Sequence, residues 1–112
     1  MALYKTLYTG KDNVISLTLS DDAGQPFPFI TNNISEVILR IGGIDFSSLT
    51  DNITFDDLGN ITFDIAKTSK AYSLPKNIQL PCSILIKDPV NTKGQFLIKW
   101  GDRKNGLFIT VR

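Results

Sequence analysis

The chain has 112 residues, 42% of them apolar and 21% charged, and a formal net charge of +1. That is enough sequence for one core and too little for two, and the near-zero charge lacks the basic excess of proteins that neutralise several phosphates. With no histidine and a single cysteine, the chain cannot build a Ser-His-Asp triad, a Cys-His dyad, a histidine-bearing zinc site, a thiolate cage or an intrachain disulfide.

The opening Met1-Ala2-Leu3-Tyr4-Lys5-Thr6-Leu7 lacks the charged start and long apolar run of a signal peptide. No stretch approaches the roughly 20 apolar residues of a membrane span. The expectation is a protein made in a cytoplasm that does not use the secretory route.

Tyr4 to Tyr8 reads as a short first strand. Gly10-Lys11-Asp12-Asn13 turns it into Val14–Leu19, where Ile15, Leu17 and Leu19 share one face and Ser16 and Thr18 the other. Asp21-Asp22-Ala23-Gly24 supplies the next turn. Pro26-Phe27-Pro28-Phe29-Ile30 runs extended, and its two prolines confine it to an edge or a crossover between sheets. Ile34 to Ile41 is a strand with Val37, Leu39 and Ile41 facing inward, and Gly42-Gly43 reads as a bulge before a short return over Ile44-Asp45-Phe46.

The sharpest local pattern follows. Ile53-Thr54-Phe55-Asp56 and Ile61-Thr62-Phe63-Asp64 write the same apolar/polar tetrad twice across Asp57-Leu58-Gly59-Asn60, as a β-hairpin with one dry and one wet face does. Gly59 is expected at positive φ. Ala66 to Pro75 has no period-2 order and has room for one helical turn. Leu80 to Lys87 is a central strand, because Ile84-Leu85-Ile86 is continuously apolar. Asp88 to Gly94 is a polar turn, Phe96 to Trp100 a further strand, and Asn105-Gly106 a two-residue turn into Leu107–Val111.

Seven to nine short strands at roughly ten-residue spacing predict an all-β fold, an immunoglobulin-like antiparallel β-sandwich that occupies residues 1–112 as a single domain. The expected interior is Ile15, Leu17, Leu19, Val37, Leu39, Ile41, Phe55, Ile61, Phe63, Ile84, Ile86, Phe96, Ile98 and Trp100.

The chemistry-bearing types do not gather. Asp21-Asp22 and Asp56-Asp57 are the adjacent acidic pairs, but neither has calcium-loop spacing and both stand where turns favour Asp. Trp100 with Tyr4, Tyr8 and Tyr72 could make an aromatic platform for a sugar or base. Trp100, two positions after Ile98, instead fits the core face. Gly42-Gly43 lacks the frame of a phosphate cradle. Cys82, within Leu80-Pro81-Cys82-Ser83-Ile84, reads as a small core residue. Lys99 to Lys104 reads as a solvated turn. No catalytic, cofactor-binding or metal-ligating residue is assigned, and no cofactor is expected.

The whole-chain layout then becomes informative. Tyr8-Thr9-Gly10-Lys11-Asp12 leads into Val14–Leu19, and Asp22-Ala23-Gly24-Gln25-Pro26 precedes Ile30-Thr31. Leu39-Arg40-Ile41, the Gly59–Phe63 hairpin, Leu74-Pro75 before the central strand, and Gly94 opening the last strands complete the order. This resembles the small immunoglobulin-like sandwich proteins of tailed bacteriophages, including the N-terminal domain of the upper baseplate protein of lactococcal phages. The resemblance implies a non-enzymatic virion structural protein. It would be an adaptor or decoration component of the tail, baseplate or collar, with other virion proteins or copies of itself as partners. It implies localisation in the virion, with no nucleic acid or membrane as partner. Larger members carry a fused fibre or receptor-binding part, and here the sandwich stands alone. A capsid decoration protein and a stand-alone carbohydrate-binding module are the alternatives.

One segment carries the expectation of contact. Leu3, Tyr4, Lys5, Thr6, Leu7 and Tyr8 contain one lysine, two tyrosines and no proline, at a chain end able to pair with another chain.

Overall fold

The computed structural model of the chain describes residues 3–20, 23–90, 92–98 and 106–112. The strands are β1 (Leu3–Leu7), β2 (Ile15–Thr18), β3 (Glu36–Ile41), β4 (Ile44–Ser47), β5 (Ile53–Phe55), β6 (Asn60–Phe63), β7 (Gln79–Lys87), β8 (Gln95–Ile98) and β9 (Leu107–Val111). One helical turn, α1 (Ser69–Tyr72), lies between β6 and β7. The smaller sheet runs β2-β6-β5 and the larger β1-β9-β7-β3-β4. β7 is long enough to take β9 along Gln79–Cys82 and β8 along Ile84–Ile86, both on the flank away from β3. The fold is an all-β sandwich, with three strands facing a larger sheet built around a central β7–β3 pair.

Alternation explains which residues close the core. Ile15 and Leu17 of β2, Ile61 and Phe63 of β6, and Ile53 of β5 are buried on one side. Val37, Leu39, Ile41, Cys82, Ile84, Ile86, Ile109 and Val111 meet them from the larger sheet. Leu19 and Phe55 are half-buried against this cluster. Fully buried Phe46 and Phe29 join it from positions that alternation alone did not mark. Phe29 comes from the proline-flanked segment, which makes one isolated bridge (Ser20 to Pro26) and then crosses to β3. Its ring lies 4.8 Å from that of Phe27 and 5.5 Å from that of Phe55.

The β5–β6 hairpin expected from turn chemistry forms. β5 and β6 pair antiparallel with Ile53 opposite Phe63 and Phe55 opposite Ile61, and Gly59 holds φ +81°. Gly42-Gly43, read as a bulge from sequence, is instead the two-residue turn of a tight hairpin, because Ile41 and Ile44 pair directly. Both glycines have positive φ (54° and 83°), the requirement of the turn type that matches strand twist.

Three further departures lie in the larger sheet. β1 pairs with β9 in parallel, Leu3 opposite Leu107 through Leu7 opposite Val111, so the larger sheet is mixed rather than antiparallel. Phe96, expected inside, is 47% exposed. A register shift between Ile84 and Leu85 places Phe96 opposite outward-facing Leu85 while Ile98 stays opposite inward-facing Ile84, so simple alternation fails across Leu97. The outer face of the larger sheet is not wholly polar either, since Ile38 and Leu85, paired across β3 and β7, are buried. The expectations for Trp100, the Asp21-Asp22 turn, the Lys99–Lys104 neighbourhood and Asn105 lie outside the described residues.

Candidate functional site

The β1-β9-β7-β3-β4 run of the larger sheet ends in two edge strands, and they are finished differently. At β4, the pairing of Ile41 with Ile44 turns the main-chain groups of Ile44 and Phe46 toward β3 and those of Asp45 and Ser47 outward. Both outward positions are met by side chains from elsewhere. Lys70 Nζ donates to the Asp45 carbonyl at 2.9 Å, and the Ser47 N–H donates to Asp51 Oδ2 at 2.9 Å. Lys70 also pairs with Asp51 at 3.0 Å. α1 delivers this lysine: Thr68 caps it by accepting from the Ala71 N–H, and buried Ala71 seats it on the core. Lys70 Nζ then lies 5.6 Å from the centre of the Phe46 ring. Burial raises the Asp51 carboxyl, but hydrogen bonds from Ser47, Lys70 and Thr50 outweigh it and hold the group below the usual carboxylate range.

At β1 the outer edge is open. The Leu3 N–H donates to the Gly106 carbonyl and the Arg112 N–H to the Leu7 carbonyl, so in a parallel ladder Leu3, Lys5 and Leu7 face β9. The N–H and C=O of Tyr4 and Thr6 point the other way and have no hydrogen-bond partner among the described residues. The opening ends at Tyr8, whose N–H donates to Asn13 Oδ1 and whose carbonyl accepts from Lys11. The side chains alternate in the other sense: Leu7 is fully buried and Leu3 packs on the core. Lys5 shares their face, while Tyr4, 63% exposed, stacks on Phe108 at 5.4 Å on the outer face. The expected contact segment is thus an edge strand on one side and an integral strand of the sheet on the other.

The remaining candidates resolve into structure. Asp56 Oδ1 accepts from the N–H groups of Leu58 and Asn60, and Asp57 accepts from the N–H and hydroxyl of Thr31. The acidic pair therefore closes a turn and ties it to the crossover segment. Cys82 is buried, with its thiol pushed up to about 12 by burial and Sγ donating to the Leu80 carbonyl. Tyr4, Tyr8 and Tyr72 make no shared platform: Tyr4 stacks on Phe108, whereas Tyr72 sits on α1 over the Gly10 turn. A shallow depression of about 490 Å³ opens beside β5 and β6, with Val14, Asp51, Asn52, Thr54, Thr62 and Asp64 on its walls. Among the described residues no three His, Cys, Asp or Glu side chains are grouped for a metal ion, and no helix is long and apolar enough to cross a membrane.

Sequence reasoning located the β1 segment but missed the closure of β4. Lys70 and Asp51 lie far apart in the sequence, and nothing local marks them as caps for one edge. No protein-family model matches the chain, and comparison with curated proteins returns no match.

Proposed function

We propose that this protein is a non-enzymatic structural component of a tailed-phage particle, an adaptor or decoration piece of the tail, collar or baseplate that acts by presenting surfaces to neighbouring proteins. The observation that carries the reading is the asymmetry of the larger sheet, whose β4 edge is sealed by Lys70 and Asp51 while β1 leaves four main-chain groups open. Strand addition at such an edge supplies main-chain hydrogen bonds without any pocket, and symmetric copies multiply a modest affinity. The layout of turns and strands similar to phage sandwich proteins supports the same reading. Mass spectrometry of purified particles tests it: the chain should be present in stoichiometric amount. Its absence from particles overturns the proposal, and recovery with separated heads rather than tails makes it a capsid decoration protein.

A carbohydrate-binding module is the second reading, favoured by the depression beside β5 and β6. Asn52, Asp64 and two threonines there offer the hydroxyl-binding groups that sugars use. Glycan-array binding lost in Asp64→Ala would move this reading ahead.

A further inference from the structure

The open edge of β1 carries a built-in discrimination. Resting on the reading of β1 as a contact strand, we infer that Lys5 rejects pairing with a second copy of this chain and selects an extended strand of a different protein that sets a carboxylate opposite it.

Register decides which strand can be added to β1. An added antiparallel strand must bond to Tyr4 and Thr6, whose four main-chain groups are the open ones. Within the described strand, the two-fold register that engages all four pairs Tyr4 of each copy with Thr6 of the other. Lys5 then lies directly opposite Lys5 in a pair without hydrogen bonds, the geometry in which cross-strand side chains come closest. Sliding the copies to pair Tyr4 with Tyr8 fails, because both main-chain groups of Tyr8 are already taken by Asn13 and Lys11. Lys5 has no ion-pair partner among the described residues, and it emerges from the core-facing side between Leu3 and Leu7. An inward-facing charge on an edge strand is a recognised guard against self-association. The same charge becomes attractive when the incoming strand carries Asp or Glu at that position, so one residue both excludes and selects.

A mixing experiment with purified full-length protein tests this, using the chain itself as the acidic probe. Wild type alone and Lys5→Glu alone should sediment as monomers at concentrations where an equimolar mixture forms a heterodimer. Association in the mixture should be at least about tenfold stronger than in either alone and should weaken as salt is raised. Thr6→Pro in the Lys5→Glu partner removes an outward N–H and should abolish the heterodimer. Lys5→Thr, which removes the charge and keeps a good strand former, should self-associate more strongly than wild type. A mixture that stays monomeric, a wild-type dimer as strong as the mixed one, or a heterodimer indifferent to Thr6→Pro would each overturn the inference. None of these outcomes depends on whether the chain is found in phage particles, so the two proposals fail separately.

Discussion

Gly59 shows how one residue is fixed by two independent demands. Its φ of +81° disfavours any side chain, and a Cβ there would run into the Leu19 carbonyl and crowd the Phe27 N–H at 3.1 Å. Gly43 has nearly the same φ, +83°, and open space around it. Asparagine tolerates this backbone region, so Gly43→Asn should cost less than about 1 kcal/mol, whereas Gly59→Asn should cost roughly 2–4 kcal/mol in urea unfolding. Equal costs would show that the backbone angle alone decides. Asp51 makes a different kind of residue-scale statement. Its carboxyl titrates below the usual value in the folded chain, so its contribution is fully present above the unfolded value of about 3.9 and is lost as pH falls through the folded one. Asp12, Asp56 and Asp57 shift in the same direction through Lys67, Asn60 and Thr31 respectively. Thermal unfolding followed from pH 7 downward should lose stability mainly below about pH 4. Asp51→Asn should be less stable than wild type at pH 7 and should show a shallower acid limb.

At the scale of elements, the β5–β6 hairpin was legible because its whole specification is local: two alternating tetrads, an Asp-rich turn and a glycine. The same rule misassigned Phe96, because a bulge changes the phase of alternation and leaves no mark in β8 itself. The Gly42-Gly43 turn was visible as a break, but choosing between bulge and hairpin required knowing that Ile41 pairs with Ile44. The β1 edge could be located from sequence, and the period-2 placement of Lys5 with Leu3 and Leu7 was readable there too. What the sequence could not show is that β9 occupies one side of that strand and that α1 seals the opposite edge of the sheet. That seal is testable. Lys70→Ala removes the donor to Asp45 and leaves Asp51, 9% exposed, without its cation. It should cost about 1 kcal/mol after allowing for the partly exposed lysine, with faster hydrogen exchange confined to β4 and its surroundings.

For the molecule as a whole, β1 joins the core rather than lying over it. Leu7 is fully buried, β1 pairs along its length with β9, and the Thr9 N–H donates to the Arg112 carbonyl. Removing residues Met1 to Tyr8 would therefore strip one flank of β9 and open a cavity at Leu7. The truncated chain should unfold several degrees lower than full-length protein and bind hydrophobic dye, a loss that substitutions at Lys5 or Thr6 should not reproduce. A truncated chain as stable as the full one would mean that β1 is an appendage. This pairing also orders events in time. Among the described strands β1 comes before all the others in the chain, yet β9, with which it pairs, comes after them all, and β7 lacks one flank until β8 and β9 follow it. A nascent chain therefore carries β1 without this partner until β9 is made, and can complete its larger sheet only after translation has passed Val111. The topology makes the larger sheet a late, long-range event, and it exposes the unfinished chain to chance strand pairing for as long as the ribosome takes to pass from β1 to β9.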